Sequence, residues 1–204
     1  MPAELVLATR NPGKLVELRR ILDVAGLALV LRGVDAFPGV ADVAETGATF
    51  AENALLKARA VAAATGVPAV SDDSGLCVAA LNDMPGILSA RWAGRHGDDE
   101  ANLDLVLGQL ADVPDDRRGA YFACAAALAH PDGRAEVVEG RLDGVLLRSR
   151  RGGNGFGYDP IFLPLGGTRT TAELSPAEKD AISHRGRAFR ALLPALAGLA
   201  VPAS

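Results

Sequence analysis

Short apolar runs alternate with amphipathic segments along most of the chain, as in folds where strands and helices follow one another. Two late apolar runs flank the turn Pro131-Asp132-Gly133 and predict an antiparallel hairpin. The predicted strands are 4–8, 27–31, 67–71, 121–129 and 135–147, and the predicted helices are 14–23, 49–65 and 98–111, with a further helical segment from Ser175. This order predicts an α/β fold with a mixed sheet and no linker between independent domains.

Composition narrows the class of protein. The 204 residues are 49% apolar and 23% charged, which excludes a disordered chain. With 21 basic against 25 acidic residues the net charge is −4, so we expect no nucleic-acid partner. No apolar run has the roughly 18 residues needed to span a bilayer, and we expect neither a membrane anchor nor a secretory signal. Cys77 and Cys124 lie in apolar runs and are predicted to be buried free thiols in a reducing cytoplasm.

The junction between the first strand and the first helix is a candidate anion site. It comprises Thr9, Arg10, Asn11, Pro12, Gly13 and Lys14, with Asn11 as the N-cap and Pro12 as the first helical residue. N–H groups at a helix start attract anions, and Lys14 adds a positive charge. An ordinary strand–helix turn is the alternative. The motif is not a Walker A loop, which needs Gly at position 8 and Ser or Thr at position 15.

Lysine is rare in this chain, since 18 of the 21 basic residues are Arg and only positions 14, 57 and 179 are Lys. Such a chain would keep Lys where a compact, flexible charge is wanted. Lys57 shares one face of the predicted helix 49–65 with Asn53, turned either to a ligand or to solvent. Glu45 lies in the preceding loop, and Glu52 is the expected capping-box partner of Thr49.

Two further segments combine unusual residue types. Asp72 and Asp73 follow the strand 67–71, and their mutual repulsion at a strand end favours a bound divalent cation, with a turn capped by Asp as the alternative. The glycine-rich segment 152–160 holds Phe156 and Tyr158, which would either stack on a planar ligand or close the loop as an apolar plug.

The C-terminal motif predicts a helix break. On one unbroken helix Lys179, His184 and Arg185 would point in three directions, at about 100° per residue. Ser183 is a good N-cap, so we predict that one helix ends near it and another begins at His184. A plain surface helix is the alternative. Together, the anion site, the lysines, the acids, the aromatic loop and the His-Arg pair fit a nucleoside polyphosphate with a metal ion.

Six blocks, in this order, resemble the inosine/xanthosine triphosphate pyrophosphatase family. They are LATRNPGKLVEL, ETGATFAENALLKARA, SDDSGLCV, PGILSARWAG, GGNGFGYDPIF and ELSPAEKDAISHRGRA. The similarity begins near Val6 and continues to the last helix. It implies a single domain over residues 1–204, with an elongated mixed central sheet, flanking helices and two lobes around an active-site cleft. It also implies a homodimer.

The resemblance further implies Mg²⁺-dependent hydrolysis of ITP, dITP and XTP to the monophosphate and pyrophosphate. By position, Asp73 would be the general base and a metal ligand, with Glu45 and Asp72 as the other metal ligands. The implied substrate contacts are Thr9, Arg10, Asn11, Pro12, Gly13, Lys14, Asn53, Lys57, Ser74, Phe156, Gly157, Tyr158, Asp159, Lys179, His184 and Arg185.

Two positions depart from the family pattern. Arg10 stands where Gly is usual, which affects only the fine positioning of the phosphate loop, and Ala44 stands where Glu is frequent. Two other functions stay open. A Maf-like pyrophosphatase for other modified nucleotides would lack the block around His184, and a non-catalytic nucleotide-binding regulator would not need the Asp72-Asp73 pair.

Overall fold

The computed structural model describes residues 3–200, which form a mixed α/β structure. The strands are β1 (Ala3–Leu7), β2 (Leu29–Gly33), β3 (Ala69–Val78), β4 (Met84–Pro85), β5 (Gly119–Ala129), β6 (Ala135–Leu146) and β7 (Phe162–Pro164). The helices are α1 (Pro12–Val24), α2 (Phe50–Thr65), α3 (Asp99–Gln109), α4 (Pro176–Ile182) and α5 (His184–Ala200). The predicted α/β class is confirmed. None of the described helices is long and apolar enough to cross a membrane.

All seven strands belong to one sheet, in the order β2-β1-β3-β5-β6-β7, with β4 paired to β3. β1 is parallel to β2 and β3, whereas β4 is antiparallel to β3 and β7 is antiparallel to β6. The sheet is therefore mixed, as predicted. The chain divides into two compact units, the first containing 3–73, 124–140 and 185–200 and the second 74–123 and 141–184. A single domain over the whole chain stays a prediction.

The first unit has an apolar layer on each face of its strands. Because side chains alternate along a strand, Leu5 and Leu7 of β1 pack in a cluster with apolar residues of α1 and α5. Val6, between them, packs with Ala54, Ala58 and other small residues of α2. These alanines are fully buried. The helices are thus fixed on opposite faces of β1.

The second unit has its own core. Leu103 and Val106 of α3 and the following Leu110 pack there with residues of β3, β5, β6 and β7, and Phe162 is fully buried. Arg118 is also buried, and its guanidinium donates to the carbonyl oxygens of Leu110, Leu146 and Leu147 at 2.6, 2.8 and 3.0 Å. These bonds satisfy the buried charge and join the end of α3 to the end of β6.

The predicted helix break is confirmed. α4 ends where the backbone amide of Ser183 donates to Lys179 O at 2.8 Å, and Ser183 has extended dihedrals of −62° and 151°. α5 begins at the next residue. A capping box of Ser175 and Glu178 begins α4. At the start of α2, Glu52 accepts from the amide of Ala48 rather than from that of Thr49, so the capping box expected there is not formed.

One strand boundary was predicted wrongly. β3 does not stop at Asp72 but continues to Val78, so both aspartates lie within the strand. The polar run of 71–75 suggests a turn, but β3 is flanked by β1 and β5 and nearly all of its residues are buried. Buried backbone groups must be hydrogen-bonded, and in-sheet pairing satisfies them. Tertiary pairing therefore overrides the local turn signal.

A pair of glycine substitutions tests the packing of the second unit. A Cβ on Gly144 would lie 2.5 Å from Leu163 O and 2.6 Å from the Phe162 ring, whereas a Cβ on Gly108 of α3 meets no atom within 4 Å. We expect Gly144→Ala to lower the free energy of unfolding by about 1–3 kcal/mol through overpacking. Gly108→Ala, the control, should raise it by about 0.5–1 kcal/mol. Urea unfolding measures both, and equal stability of the two variants would contradict the packing described.

Candidate active site

The start of α1 is capped by its own N-terminal residue. Asn11 Oδ1 accepts from the amides of Gly13 and Lys14 at 2.9 and 3.4 Å, and Pro12 occupies the first turn. Thr9 Oγ1 accepts from the Asn11 amide at 3.2 Å. The predicted N-cap is confirmed. The phosphate contacts proposed for residues 9–14 stay a prediction, because Asn11 accepts the first-turn bonds in this structure.

Arg10 is directed away from the start of α1. Its Nε donates to Asp42 at 2.8 Å, it also pairs with Asp35, and its Nη2 donates to Val40 O at 3.2 Å. The two carboxylates raise its pKa. Arg10 therefore joins the junction to the loop that follows β2.

Asp72 points to the face of β3 that carries α1 and α5. Its Oδ2 lies 2.9 Å from both Lys14 Nζ and Arg185 Nε, and Arg185 Nη1 lies 3.2 Å from Glu17 Oε2. Asp72, Glu17 and Arg185 are buried. Burial opposes ionisation of Asp72, but the positive charges of Lys14 and Arg185 hold its pKa well below the usual range. Asp72 Oδ1 is buried and has no hydrogen-bond partner in residues 3–200.

Asp73 points to the opposite face, toward α2, because successive side chains of a strand alternate. Its Oδ2 accepts from Asn53 Nδ2 at 3.0 Å, and its Oδ1 lies 3.7 Å from Lys57 Nζ. Lys57 also contacts Glu45 at 2.6 Å. Burial raises the pKa of Asp73 and the charge of Glu45 adds to this rise, although Lys57 and Asn53 oppose it. Asp73 is thus a carboxylate poised to take a proton.

Local contacts fix this group in place. Asn53 Oδ1 accepts from the Gly47 amide at 2.8 Å, which holds the loop containing Glu45. Ser71 Oγ donates to Ala54 O, which joins β3 to α2. The face shared by Asn53 and Lys57 is therefore turned inward to Asp73, and the solvent alternative is wrong.

Carboxylates suited to Mg²⁺ are present, but the three predicted ligands do not form one cluster. Glu45 and Asp73 are both within reach of Lys57, whereas Asp72 is on the other face of β3. Within the described part of the chain, no group of three His, Cys, Asp or Glu is arranged to hold a metal ion. Mg²⁺ is commonly bound by one or two carboxylates together with substrate phosphates. The Glu45-Asp73 pair fits that mode.

The aromatic loop lies in the second unit. Phe156 is 51% exposed, and Lys179 Nζ lies 4.9 Å from the centre of its ring. Tyr158 is only 5% exposed, and its hydroxyl donates to Ser89 O at 2.8 Å. Only Phe156 therefore has an exposed ring, and its stacking on a ligand stays a prediction. Tyr158 is a core residue, in keeping with the plug alternative.

Asp159 organises the same loop. It is buried, its Oδ2 accepts from the Phe156 amide at 2.8 Å and contacts Lys179, and its Oδ1 accepts from Thr171 Oγ1 at 2.8 Å. With so many donors, its carboxylate is committed to holding the loop and Lys179. Contact with substrate through this side chain stays a prediction.

The two residues after the helix break have different surroundings. His184 is buried and stacks on Phe122, with ring centres 4.8 Å apart and planes 12° apart. Arg185 contacts Asp72 and Glu17 instead. Ser74 is half-buried within β3. Base contacts by these residues stay predictions.

Several residues of these arrangements were missed in the sequence. Glu17 reads as an ordinary helix residue three positions after Lys14, and Ser89 lies in an irregular segment. Asp99 Oδ2, at the start of α3, accepts from the Gly157 amide at 2.9 Å. These three residues are recognised only through contacts with residues distant in sequence, which are Arg185, Tyr158 and Gly157 respectively. The spacing of Lys14 and Glu17 on one face of a helix is the one signal that was available.

Comparison with known proteins gives a consistent result. The sequence model of the Ham1 family matches residues 5–195. A protein from Streptomyces coelicolor named dITP/XTP pyrophosphatase is 67% identical over 190 residues, which are 93% of this chain and 95% of that one. A protein of the same name from Mycobacterium tuberculosis (H37Rv) is 57% identical over 198 residues, 97% of each chain.

Solved structures agree with the fold. The crystal structure of a nucleoside-triphosphatase, dITP/XTP pyrophosphatase, from Mycobacterium abscessus is 57% identical, with a TM-score of 0.77 and coverage of 94% of this chain and 99% of that one. A HAM1 protein from Coxiella burnetii is 43% identical, with a TM-score of 0.87 and coverage of 96% and 99%.

Asp72→Asn and Asp73→Asn form a matched pair with opposite expected effects on stability. Asp72, whose pKa is lowered, stabilises the fold above the ordinary carboxyl pKa, and this contribution is lost as pH falls through its folded-state pKa. At neutral pH Asp72→Asn should therefore cost about 3–5 kcal/mol, because Lys14 and Arg185 lose their buried partner.

Asp73, whose pKa is raised, favours the folded state below the ordinary carboxyl pKa, and this contribution is lost as pH rises through its folded-state pKa. At neutral pH Asp73→Asn should therefore raise the melting temperature. As pH falls, the Asp73 difference should shrink first, once pH passes through its raised folded-state pKa, and should be gone by about pH 4; the Asp72 difference should begin to shrink only below about pH 4, where the carboxyl is protonated in the unfolded chain. Thermal melts between pH 3 and 8 measure this, and effects of the same sign would contradict the two environments.

Proposed function

The chain belongs to the Ham1 family, and on that premise we propose that it hydrolyses deaminated purine nucleoside triphosphates (ITP, dITP and XTP) to the monophosphate and pyrophosphate. The names of the similar proteins support the substrate class. The observation that carries the proposal is Asp73, a buried carboxylate of raised pKa that lies beside Asn53, Lys57 and Glu45. Such an arrangement suits proton transfer from water next to an anionic ligand.

Asp73 is the proposed general base. Its carboxylate takes the proton of the water that attacks the α-phosphorus, and pyrophosphate leaves. Asn53, which donates to Oδ2, keeps that oxygen oriented, and Oδ1 faces Lys57. The raised pKa makes the carboxylate a better proton acceptor than an exposed aspartate.

Mg²⁺ is the proposed cofactor, with Glu45 and Asp73 as the ligands that the geometry favours. When bound, it neutralises phosphate charge and polarises the attacked phosphate. Asp72 was the third predicted ligand. Its Oδ1 accepts no hydrogen bond within residues 3–200 and could therefore bind a ligand. Its Oδ2, however, is bonded to Lys14 and Arg185, which supports a role in fixing those cations.

The cations of the first unit are the proposed triphosphate contacts. Lys14 and Lys57 each have a carboxylate partner and remain partly accessible, so a phosphate oxygen would share them with Asp72 and Asp73. The amides at the start of α1 would assist, once a phosphate takes the place of the Asn11 side chain. Arg10 would act indirectly, by fixing the loop after β2.

The second unit supplies the proposed base contacts. Phe156 offers an exposed ring for stacking, with Lys179 as a donor beside it, and His184, which stacks on Phe122, is a further candidate donor of the second unit. Hypoxanthine and xanthine carry an O6 acceptor where adenine carries an amino donor. A donor aimed at O6 would leave a polar group unpaired when ATP binds, at a cost of about 1–3 kcal/mol.

A single domain with two lobes and assembly as a homodimer are also proposed, and the family resemblance supports both. Location in the cytoplasm is proposed from Cys77 and Cys124, which are free, buried thiols. Size-exclusion chromatography with light scattering tests the assembly directly.

Pyrophosphate release and the role of Asp73 can be tested with the purified protein. Purified protein with Mg²⁺ should release pyrophosphate and the monophosphate from ITP and XTP, and EDTA should stop the reaction until Mg²⁺ is restored. Asp73→Asn should lower turnover by roughly 10²–10⁴, the usual worth of a general base, with a much smaller change in KM. Chromatography of the products separates cleavage at the α-phosphorus from loss of the terminal phosphate. Near-normal turnover of Asp73→Asn would remove Asp73 from this role.

The second activity prediction concerns the base. Phe156→Ala should raise KM for ITP, XTP and ATP by similar factors, because stacking energy is common to all purines. Its turnover should change little, since stacking is expected to contribute equally to the ground state and the transition state. The matched control is Leu165→Ala, another exposed apolar residue of the second unit, which should leave KM unchanged. A change in the ITP-to-ATP preference with Phe156→Ala would assign base discrimination to that ring.

A further inference from the structure

We propose that Asp99 is a positioning residue for Phe156, which it holds in place through the backbone amide of Gly157. The inference rests on the proposed function, because it takes Phe156 as the base-stacking residue. The contact itself is a hydrogen bond of 2.9 Å from the Gly157 N–H to Asp99 Oδ2. Among residues 3–200, the side-chain hydrogen bond of Asp99 is to the Gly157 backbone and not to the Phe156 side chain.

The geometry of the aromatic loop explains why Gly157 needs an outside acceptor. Residues 156–159 form a tight turn in which the Asp159 amide donates to Phe156 O at 3.3 Å and the Phe156 amide donates to Asp159 Oδ2 at 2.8 Å. Gly157 has φ of +61°, and Tyr158 has dihedrals of −88° and 4°. These angles are typical of a type II′ turn, whose first corner amide is not bonded within the turn. Asp99 accepts from that corner amide.

α3 is a stable base from which to hold the loop. Leu103 and Val106 of this helix pack in the same buried cluster as Tyr158, so the residue after Gly157 is anchored to the same core. Asp99 lies in the first turn of α3, where the helix dipole favours a negative charge. The carboxylate is directed at Gly157 from this position, and a hydrogen bond to a charged acceptor is stronger than one to a neutral acceptor.

Packing alone does not fix the ring of Phe156. The side chain is 51% exposed, so its direction depends on the backbone that carries it and on the nearby Lys179. Without the hydrogen bond from the Gly157 amide to Asp99, the turn would sample other conformations. Binding of a base would then carry the entropic cost of ordering the loop. We therefore expect weaker binding of the base and an unchanged rate of the reaction at Asp73.

Three variants test this. Asp99→Ala removes the acceptor, and Asp99→Asn restores a neutral one. Asp98→Ala is the matched control: Asp98 caps the same helix by accepting from the Ala101 amide at 3.3 Å, and has no bond to the loop. Asp98→Ala thus weakens the start of α3 by about 0.5–2 kcal/mol, as a cap loss does, without touching Gly157. Asp99→Glu, which keeps the charge but displaces the carboxylate, takes the place of Asp99→Ala if that variant does not fold.

The readouts separate the base from the phosphates. Asp99→Ala should raise KM for ITP by roughly tenfold or more, the loss that one charge-assisted hydrogen bond represents, with kcat within about twofold. The inhibition constant of inorganic tripolyphosphate, which has no base, should not change. Asp98→Ala should keep the wild-type KM, and Asp99→Asn should recover most of it.

A readout without catalysis completes the test. Hydrogen exchange of the amides of 155–158 should be faster in Asp99→Ala than in Asp98→Ala or the wild type. Equal exchange in the two Ala variants, or an equal rise in the ITP KM and the tripolyphosphate inhibition constant, would overturn the inference. If the wild type does not cleave ITP, the proposed function fails, and the exchange experiment still decides whether Asp99 holds the turn.

Discussion

Two carboxylates occupy consecutive positions in the middle of a buried strand, and the elements around β3 are placed where they compensate that charge. Ionised groups are strongly destabilising away from water unless they are paired. Asp72 is paired by Lys14 of α1 and Arg185 of α5, and Asp73 by Lys57 of α2. Each helix thus supplies a cation as well as an apolar face.

The pairing differs on the two sides of the strand, and so does its effect on protonation. The two cations at Asp72 outweigh burial, so this carboxylate stays ionised. At Asp73 the amine of Lys57 is shared with Glu45, and the favourable interactions do not outweigh burial, which leaves Asp73 easier to protonate. Two chemically identical neighbours thereby gain different properties from their surroundings alone, and the less well compensated one is the better proton acceptor.

The sequence predicts what depends on local chemistry. The break at Ser183 follows from the geometry of one helix, and the N-cap at Asn11 follows from residue type. The rarity of lysine in this chain was also informative, because each of the three lysines contacts a buried carboxylate. By contrast, the continuation of β3 depends on its neighbours in the sheet, and the burial of Tyr158 depends on a core built from distant segments. The pattern of apolar residues within a short segment therefore predicts neither the length of β3 nor the burial of Tyr158.

The register of β3 decides the surroundings of its two aspartates. Its pairing with β1 places Ala69 opposite Val6 and Val70 opposite Leu7, and the alternation that follows decides which aspartate faces which helix. A single inserted or deleted residue between Val70 and Asp73 would exchange the two environments while leaving the composition almost unchanged. We therefore expect substitutions in this stretch to be tolerated more readily than insertions or deletions, which would change the chemistry of the site.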